Sequence, residues 1–149
     1  MLLQKQPNHW SCLPTAFAIA VEMPVSKIIE MLGHDGGEPV FSGSRPERSF
    51  HIGELAILAL KLGFSFTPVL STLATVNRQT NQKHYSYYDL NALLQTTFFD
   101  YRSIITGIFP GGPHAAAYES GMIYDPNGTY YPFDSKIITI EQFWVIRSA

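Results

Sequence analysis

The chain has 149 residues, 46% of them hydrophobic, with ten basic and twelve acidic side chains for a net charge of −2. That length suits one hydrophobic core, read as a single domain over residues 1–149, and the near-neutral charge excludes the electrostatic footprint of a nucleic-acid binder or of a protein held on an acidic membrane. A single cysteine excludes an intramolecular disulfide and suits a reducing compartment.

The opening segment, Met1 to Trp10, lacks the apolar core and small-residue cleavage site of a signal peptide, and no later run approaches the roughly 18 apolar residues of a membrane span. The expected location is therefore cytoplasmic, with no membrane partner.

Cys12 opens an apolar stretch through Val21 that reads as a helix. A helix start carries unpaired N–H groups and the positive end of the helix dipole, so it favours an anionic sulfur. The competing reading is an inert buried thiol. Glu22-Met23-Pro24 interrupts, and a second short helix follows with Ile28, Ile29 and Leu32 at helical spacing, Ser26 as its N-cap and Gly33 as its stop. Residues 34–50 are rich in turn formers and charges and read as a long surface loop bordering a site.

A third helix is predicted from His51 to Leu62, ended by Gly63, and then a strand from Phe64 to Leu70. Thr72 to Lys83 is polar and non-periodic and reads as flexible, and Tyr87 to Leu94 as a weaker fourth helix. From Arg102 the pattern turns to β, with strands at Ser103–Phe109, His114–Tyr118, Met122–Asp125 and Thr129–Phe133 between glycine-rich turns. Asn127-Gly128-Thr129 matches a glycosylation acceptor but reads as part of a turn. Residues 137–146 fit a strand or a short helix capped by Thr139. Helices first and antiparallel strands second make an α+β domain.

Of the five histidines, His114 begins a strand directly after Gly111-Gly112-Pro113, where little side-chain bulk blocks the ring. The strand turns through Glu119-Ser120-Gly121 and returns to Asp125. Counting outward from that turn, Tyr118 faces Met122 or its neighbour, and His114 faces Asp125 or Pro126. A carboxylate there fixes the imidazole tautomer and leaves the other ring nitrogen to take a proton from a nucleophile. A purely structural His–Asp pair, or an aspartate that only starts the Asp125-Pro126-Asn127-Gly128 turn, is the alternative. The remaining histidines show no metal-ligand spacing, and no metal or cofactor is expected.

These residues together resemble the papain-like cysteine peptidases, especially the compact bacterial branch similar to the peptidases that process double-glycine leader peptides. The matching elements are Gln6, Trp10-Ser11-Cys12-Leu13-Pro14-Thr15-Ala16, His114-Ala115-Ala116 and Tyr124-Asp125-Pro126, in the family's order and across most of the chain. The resemblance implies a papain-like fold with N-terminal helices packed on a C-terminal antiparallel sheet. It also implies Cys12 as nucleophile, His114 as general base and later acid, Asp125 as the orienting residue and Gln6 as an oxyanion-hole donor, with Gln4 as the rival for that last role. Leu13 stands where the family commonly has glycine, a departure that would either narrow the space behind the nucleophile or alter how the substrate backbone approaches. With so few residues before Cys12, neither a propeptide nor a transporter domain is expected.

The expected function is cleavage of a peptide or isopeptide bond in a protein or peptide substrate through an acyl-thioester on Cys12. Trp10, Gly111 and Gly112 are candidate substrate-binding residues, with core packing as the other reading of Trp10. The same triad would also serve a glutamine deamidase or acyltransferase, and a catalytically inactive binding module is the non-enzymatic alternative.

Overall fold

A computed structural model describes residues 1–38, 49–70, 72–76, 79–80, 83–87 and 89–149, with the backbone alone in 72–76 and 83–87. The elements are α1 (Cys12–Val21), α2 (Val25–Leu32), α3 (Ile52–Lys61), β1 (Phe64–Val69), β2 (Thr72–Val76), β3 (Lys83–Tyr87), α4 (Leu90–Gln95), β4 (Ser103–Phe109), β5 (Gly112–Glu119), β6 (Met122–Tyr124), β7 (Tyr130–Pro132) and β8 (Thr139–Ser148). Six strands form an antiparallel sheet in the order β1-β8-β4-β5-β6-β7, and β2 pairs with β3 alone. The class is α+β, as the sequence indicates. No single helix among the described residues is long and apolar enough to cross a membrane.

Helix α1 is buried from Pro14 to Val21, which is why its sequence is apolar on every side rather than striped. It ends where Glu22 takes the left-handed conformation (φ 59°), ahead of Met23-Pro24. The residue before α2 is Pro24 rather than the predicted cap Ser26, and the reason lies elsewhere in the chain. The Val25 N–H donates to Gln4 Oε1 at 2.7 Å, so a side chain from the N-terminal segment supplies the cap. Gly33 closes α2 at φ 82°, as predicted.

Two expectations between residues 72 and 94 are corrected. The segment read as flexible contributes β2 and the start of β3, joined in register from Thr72↔Tyr87 to Val76↔Lys83. Tyr87 therefore belongs to a strand, and α4 begins only at Leu90, where Asp89 accepts the Ala92 N–H at 3.2 Å. Cross-strand pairing outweighed a polar, aperiodic local sequence. Of the 34–50 loop, residues 39–48 lie outside the described residues.

The ambiguous C-terminal stretch is a strand. β8 lies between β1 and β4 and pairs with both, so its alternating and near-continuous apolar residues are buried on two faces. One face carries a core of α1, α2 and α3 against Ile104, Ala117 and Ile146. On the other, α4 packs with Ile105, Ala116, Tyr118, Ile123 and Phe143. The sheet is thus covered on both sides, and β1 enters it from the helical half of the chain.

Two hairpins place the β5 end. The β5–β6 loop has two residues rather than the predicted three: Glu119 pairs with Met122, and Ser120 (φ 51°) and Gly121 (φ 83°) both have positive φ. That is the signature of a type I′ turn, whose twist matches the strands it joins. In β4, Gly107 sits at a register shift against β8 and directly opposite His114 on β5. A Cβ at Gly107 would overlap the carbonyl oxygen of Thr139, a backbone atom, so the strand itself would have to shift. Gly107→Ala is expected to cost roughly 1–3 kcal/mol of stability, measured as a lowered denaturation midpoint; an unchanged midpoint would show that the bulge adapts.

Candidate active site

The register corrects how His114 meets Asp125. The pairs run Ala117↔Tyr124, Tyr118↔Ile123 and Glu119↔Met122, and β6 then leaves β5. Continued by one step, Asp125 would oppose Ala116 rather than His114. Strand alternation nevertheless puts Ala116 and His114 on one face, so the contact runs diagonally along that face. Had Tyr118 faced Met122, Asp125 would have turned to the other side.

The contact is short. His114 Nε2 lies 2.7 Å from Asp125 Oδ1, and because an ionised carboxylate only accepts, Nε2 carries the proton. Asp125 is buried, with 3% of its surface exposed. Its carboxylate also accepts from the Asn127 backbone N–H at 2.9 Å on Oδ1 and from the Tyr131 hydroxyl at 2.6 Å on Oδ2. Tyr131 was not singled out from the sequence. The signal was available in the next hairpin, where Tyr131 pairs with Ile123 and so shares its face.

With Nε2 committed to Asp125, Nδ1 is the remaining nitrogen of His114, and Cys12 is near enough to the imidazole to favour its charged form. The ring of Phe109 meets the imidazole edge-on at 5.2 Å between centroids. Burial works against the charged imidazole, but the hydrogen bond to Asp125 and then the Cys12 thiol outweigh it, and the His114 pKa is raised to about 9. Burial likewise works against ionisation of Asp125, and hydrogen bonds from His114, Tyr131 and Asn127 hold it below the usual carboxylate value. Burial, reinforced by the carboxylate, pushes the Tyr131 phenol up, so it stays a donor.

Cys12 is half-buried at the first position of α1, where the N–H groups of Cys12 and Leu13 have no intrahelical acceptor. The preceding turn is tied to the rest of the site. Gln6 Nε2 donates to the Asn8 carbonyl at 2.7 Å, and Ser11 Oγ donates to the same oxygen at 3.1 Å. The Gln6 backbone N–H donates to the Pro126 carbonyl at 2.6 Å, and Lys5 bridges Asn127. The N-terminal segment is thereby held against the loop that follows Asp125. Gln4 is engaged elsewhere: its Nε2 donates to the Met23 carbonyl at 2.7 Å and its Oε1 caps α2.

A cleft of about 340 Å³ adjoins the imidazole, lined by Phe109, Pro110, Gly111, Gly112, Pro113, His114, Asp125, Asn127 and Tyr131. Gly111 and Gly112 are therefore brought to His114, and each leaves open space where a Cβ would stand. Trp10 stands apart from that cleft. Its indole packs on Gly36 and Gly37, where an added Cβ would come within 2.7 and 2.8 Å of the ring. Leu13 packs against the α1–α3 core. His34, which is buried, is occupied structurally: it bonds Glu54 at 2.7 Å, accepts from the Gly36 N–H at 3.1 Å and stacks on Phe50.

Neither a scan of protein-family models nor a search of curated proteins finds a match to this chain.

The His114–Asp125 pair gives stability a defined pH window. Because the His114 pKa is raised, its contribution is complete below the ordinary value of 6.5 and is lost as pH rises to about 9. The Asp125 pKa is lowered, so its contribution is present above the ordinary value of 3.8 and is lost as pH falls through the depressed one. Unfolding free energies of the native chain and of His114→Gln, measured from pH 4 to 10, are expected to differ most near pH 4–6.5 and to converge by about pH 9.

Proposed function

We propose that this chain is a papain-like thiol hydrolase that cleaves a peptide or isopeptide bond, with Cys12 as nucleophile, His114 as base and then acid, Asp125 orienting the imidazole and Gln6 donating to the oxyanion. The observation that carries the reading is the His114–Asp125 pair: Asp125 holds Nε2 and leaves Nδ1 for a nucleophile, and Cys12, at a helix start, is a charge neighbour of the same imidazole. An orienting carboxylate, a base and a nucleophile in series are the parts that activated-nucleophile catalysis requires. The α+β layout, with a thiol opening a buried helix and the base on an antiparallel sheet, is compatible with the papain-like fold.

The chemistry follows from those positions. Transfer of the thiol proton to Nδ1 leaves a thiolate beside an imidazolium, and the raised pKa of His114 favours that charged form. The thiolate attacks the substrate carbonyl carbon, forming a C–S bond while the carbonyl electron pair moves to oxygen. The Cys12 N–H and the second amide hydrogen of Gln6 are the donors for that oxyanion; loss of one such donor typically costs about 2.7–4 kcal/mol of transition-state stabilisation. Collapse breaks the C–N bond as His114 passes its proton to the leaving amine. The neutral imidazole then takes a proton from water, which attacks the thioester and releases the acid and free Cys12. Gly111 and Gly112 leave room for an extended substrate beside His114.

Iodoacetamide labelling tests the pair without knowledge of the substrate. Alkylation at neutral pH is expected at Cys12, with His114→Ala slowing it by about tenfold or more, because a general base typically contributes on the order of 10²–10⁴. Equal rates in the two proteins would rule out a coupled thiol and imidazole. Candidate substrates separate the outcomes by mass: hydrolysis of the main chain yields two fragments, and the Cys12→Ala variant yields none.

A further inference from the structure

We propose that Tyr131 is a positioning residue that sets the proton affinity of His114 by fixing the rotation of the Asp125 carboxylate. The inference rests on the triad reading above and extends it to a side chain that touches neither thiol nor imidazole nitrogen.

β6 ends at Tyr124, so the strand ladder stops one residue short of the carboxylate and does not dictate its orientation. Its Cα is held by the turn, through the Asp125 N–H to the Thr129 carbonyl at 2.8 Å and the Gly128 N–H to the Asp125 carbonyl at 2.9 Å. Rotation of the carboxylate about its own bond is a separate freedom, since the last torsion of an aspartate is broad and roughly two-fold. Two donors share Oδ1, the His114 ring and the Asn127 N–H, whereas Oδ2 receives the Tyr131 hydroxyl at 2.6 Å. Three donors in fixed positions define one rotation. Without the phenol, Oδ2 is left buried and unmatched, and the carboxylate can turn to compromise between its remaining partners or admit water from the adjoining cleft.

Tyr131 is itself anchored by Ile123↔Tyr131 pairing between β6 and β7. It is a donor across the range in which His114 titrates, because burial and the neighbouring carboxylate keep its phenol protonated. The titratable groups facing His114 are then Asp125 from the turn and Cys12 from α1, with Tyr131 acting through Asp125.

The direction of the effect distinguishes positioning from simple charge dilution. If the hydroxyl only drew charge from Asp125, its loss would strengthen the carboxylate and raise the His114 midpoint. If it fixes the carboxylate, its loss loosens the bond to Nε2 and lowers that midpoint toward the ordinary value of 6.5.

The experiment is an NMR pH titration of the His114 ring in the native chain, in Tyr131→Phe and in Asp125→Asn, with the folded state of each followed by its amide spectrum. Asp125→Asn is expected to lower the midpoint most, and Tyr131→Phe by about half a unit or more. An unchanged or raised midpoint in Tyr131→Phe, with Asp125→Asn lowered, overturns the role of Tyr131 and leaves the triad standing. No change in Asp125→Asn overturns both. Should Tyr131→Phe fail to fold, 3-fluorotyrosine at position 131 keeps ring and hydroxyl. As a stronger donor it is expected to hold the native midpoint, and a midpoint lowered as in Asp125→Asn would overturn the proposal.

Discussion

A carboxylate that is almost fully buried is the constraint on which this arrangement depends. Removing Asp125 from water is unfavourable unless its oxygens are matched by donors, and the chain matches them from three places: a strand histidine, a backbone N–H of its own turn, and a tyrosine on the sheet's last strand. Each donor fixes something in return. His114 acquires a defined tautomer, the Asp-Pro-Asn-Gly turn acquires its closure, and β7 is tied to β5 across β6.

The N-terminal segment reaches the loop after Asp125 because β6 is short. Strand alternation puts His114 on the face of Ala116 and Tyr118, which belongs to the core under α4, whereas α1 packs on the face of Ala117. A longer β6 would have continued along β5 and filled the edge beside His114. Instead the chain departs after Tyr124, and the N-terminal segment takes its place through Lys5↔Asn127 and the Gln6 N–H to Pro126. Cys12 and His114 thus come from elements on opposite faces of the sheet and are neighbours beyond the last β5–β6 pair.

Much of this was readable from local chemistry. The bounds of α1 and of the Ser103–Phe109 strand and the αL stops at Gly33 and Gly63 follow from periodicity and turn residues, and the β5–β6 hairpin that brings Asp125 near His114 was legible although its register was not. What escaped involves partners distant in the chain. Ser26 is a sound cap by composition, but Gln4 had already reached the Val25 N–H. The polar run from Thr72 has no amphipathic signal, yet β3 pairs with it. Spacing from Cys12 favours Gln6 over its rival Gln4, and only the fold shows Gln4 committed to Met23 and Val25 and the backbone of Gln6 set against Pro126.

The sequence by itself determined which residues can do chemistry and roughly where each element starts and stops, because nucleophilicity, capping and strand period are local properties of residue type and spacing. The tertiary structure alone decided the diagonal register that joins His114 to Asp125, the tyrosine that holds the carboxylate, and the approach of Cys12 to the imidazole. Those depend on how far β6 follows β5 before leaving it, and that length is set by competition among long-range contacts, which no local window of sequence contains.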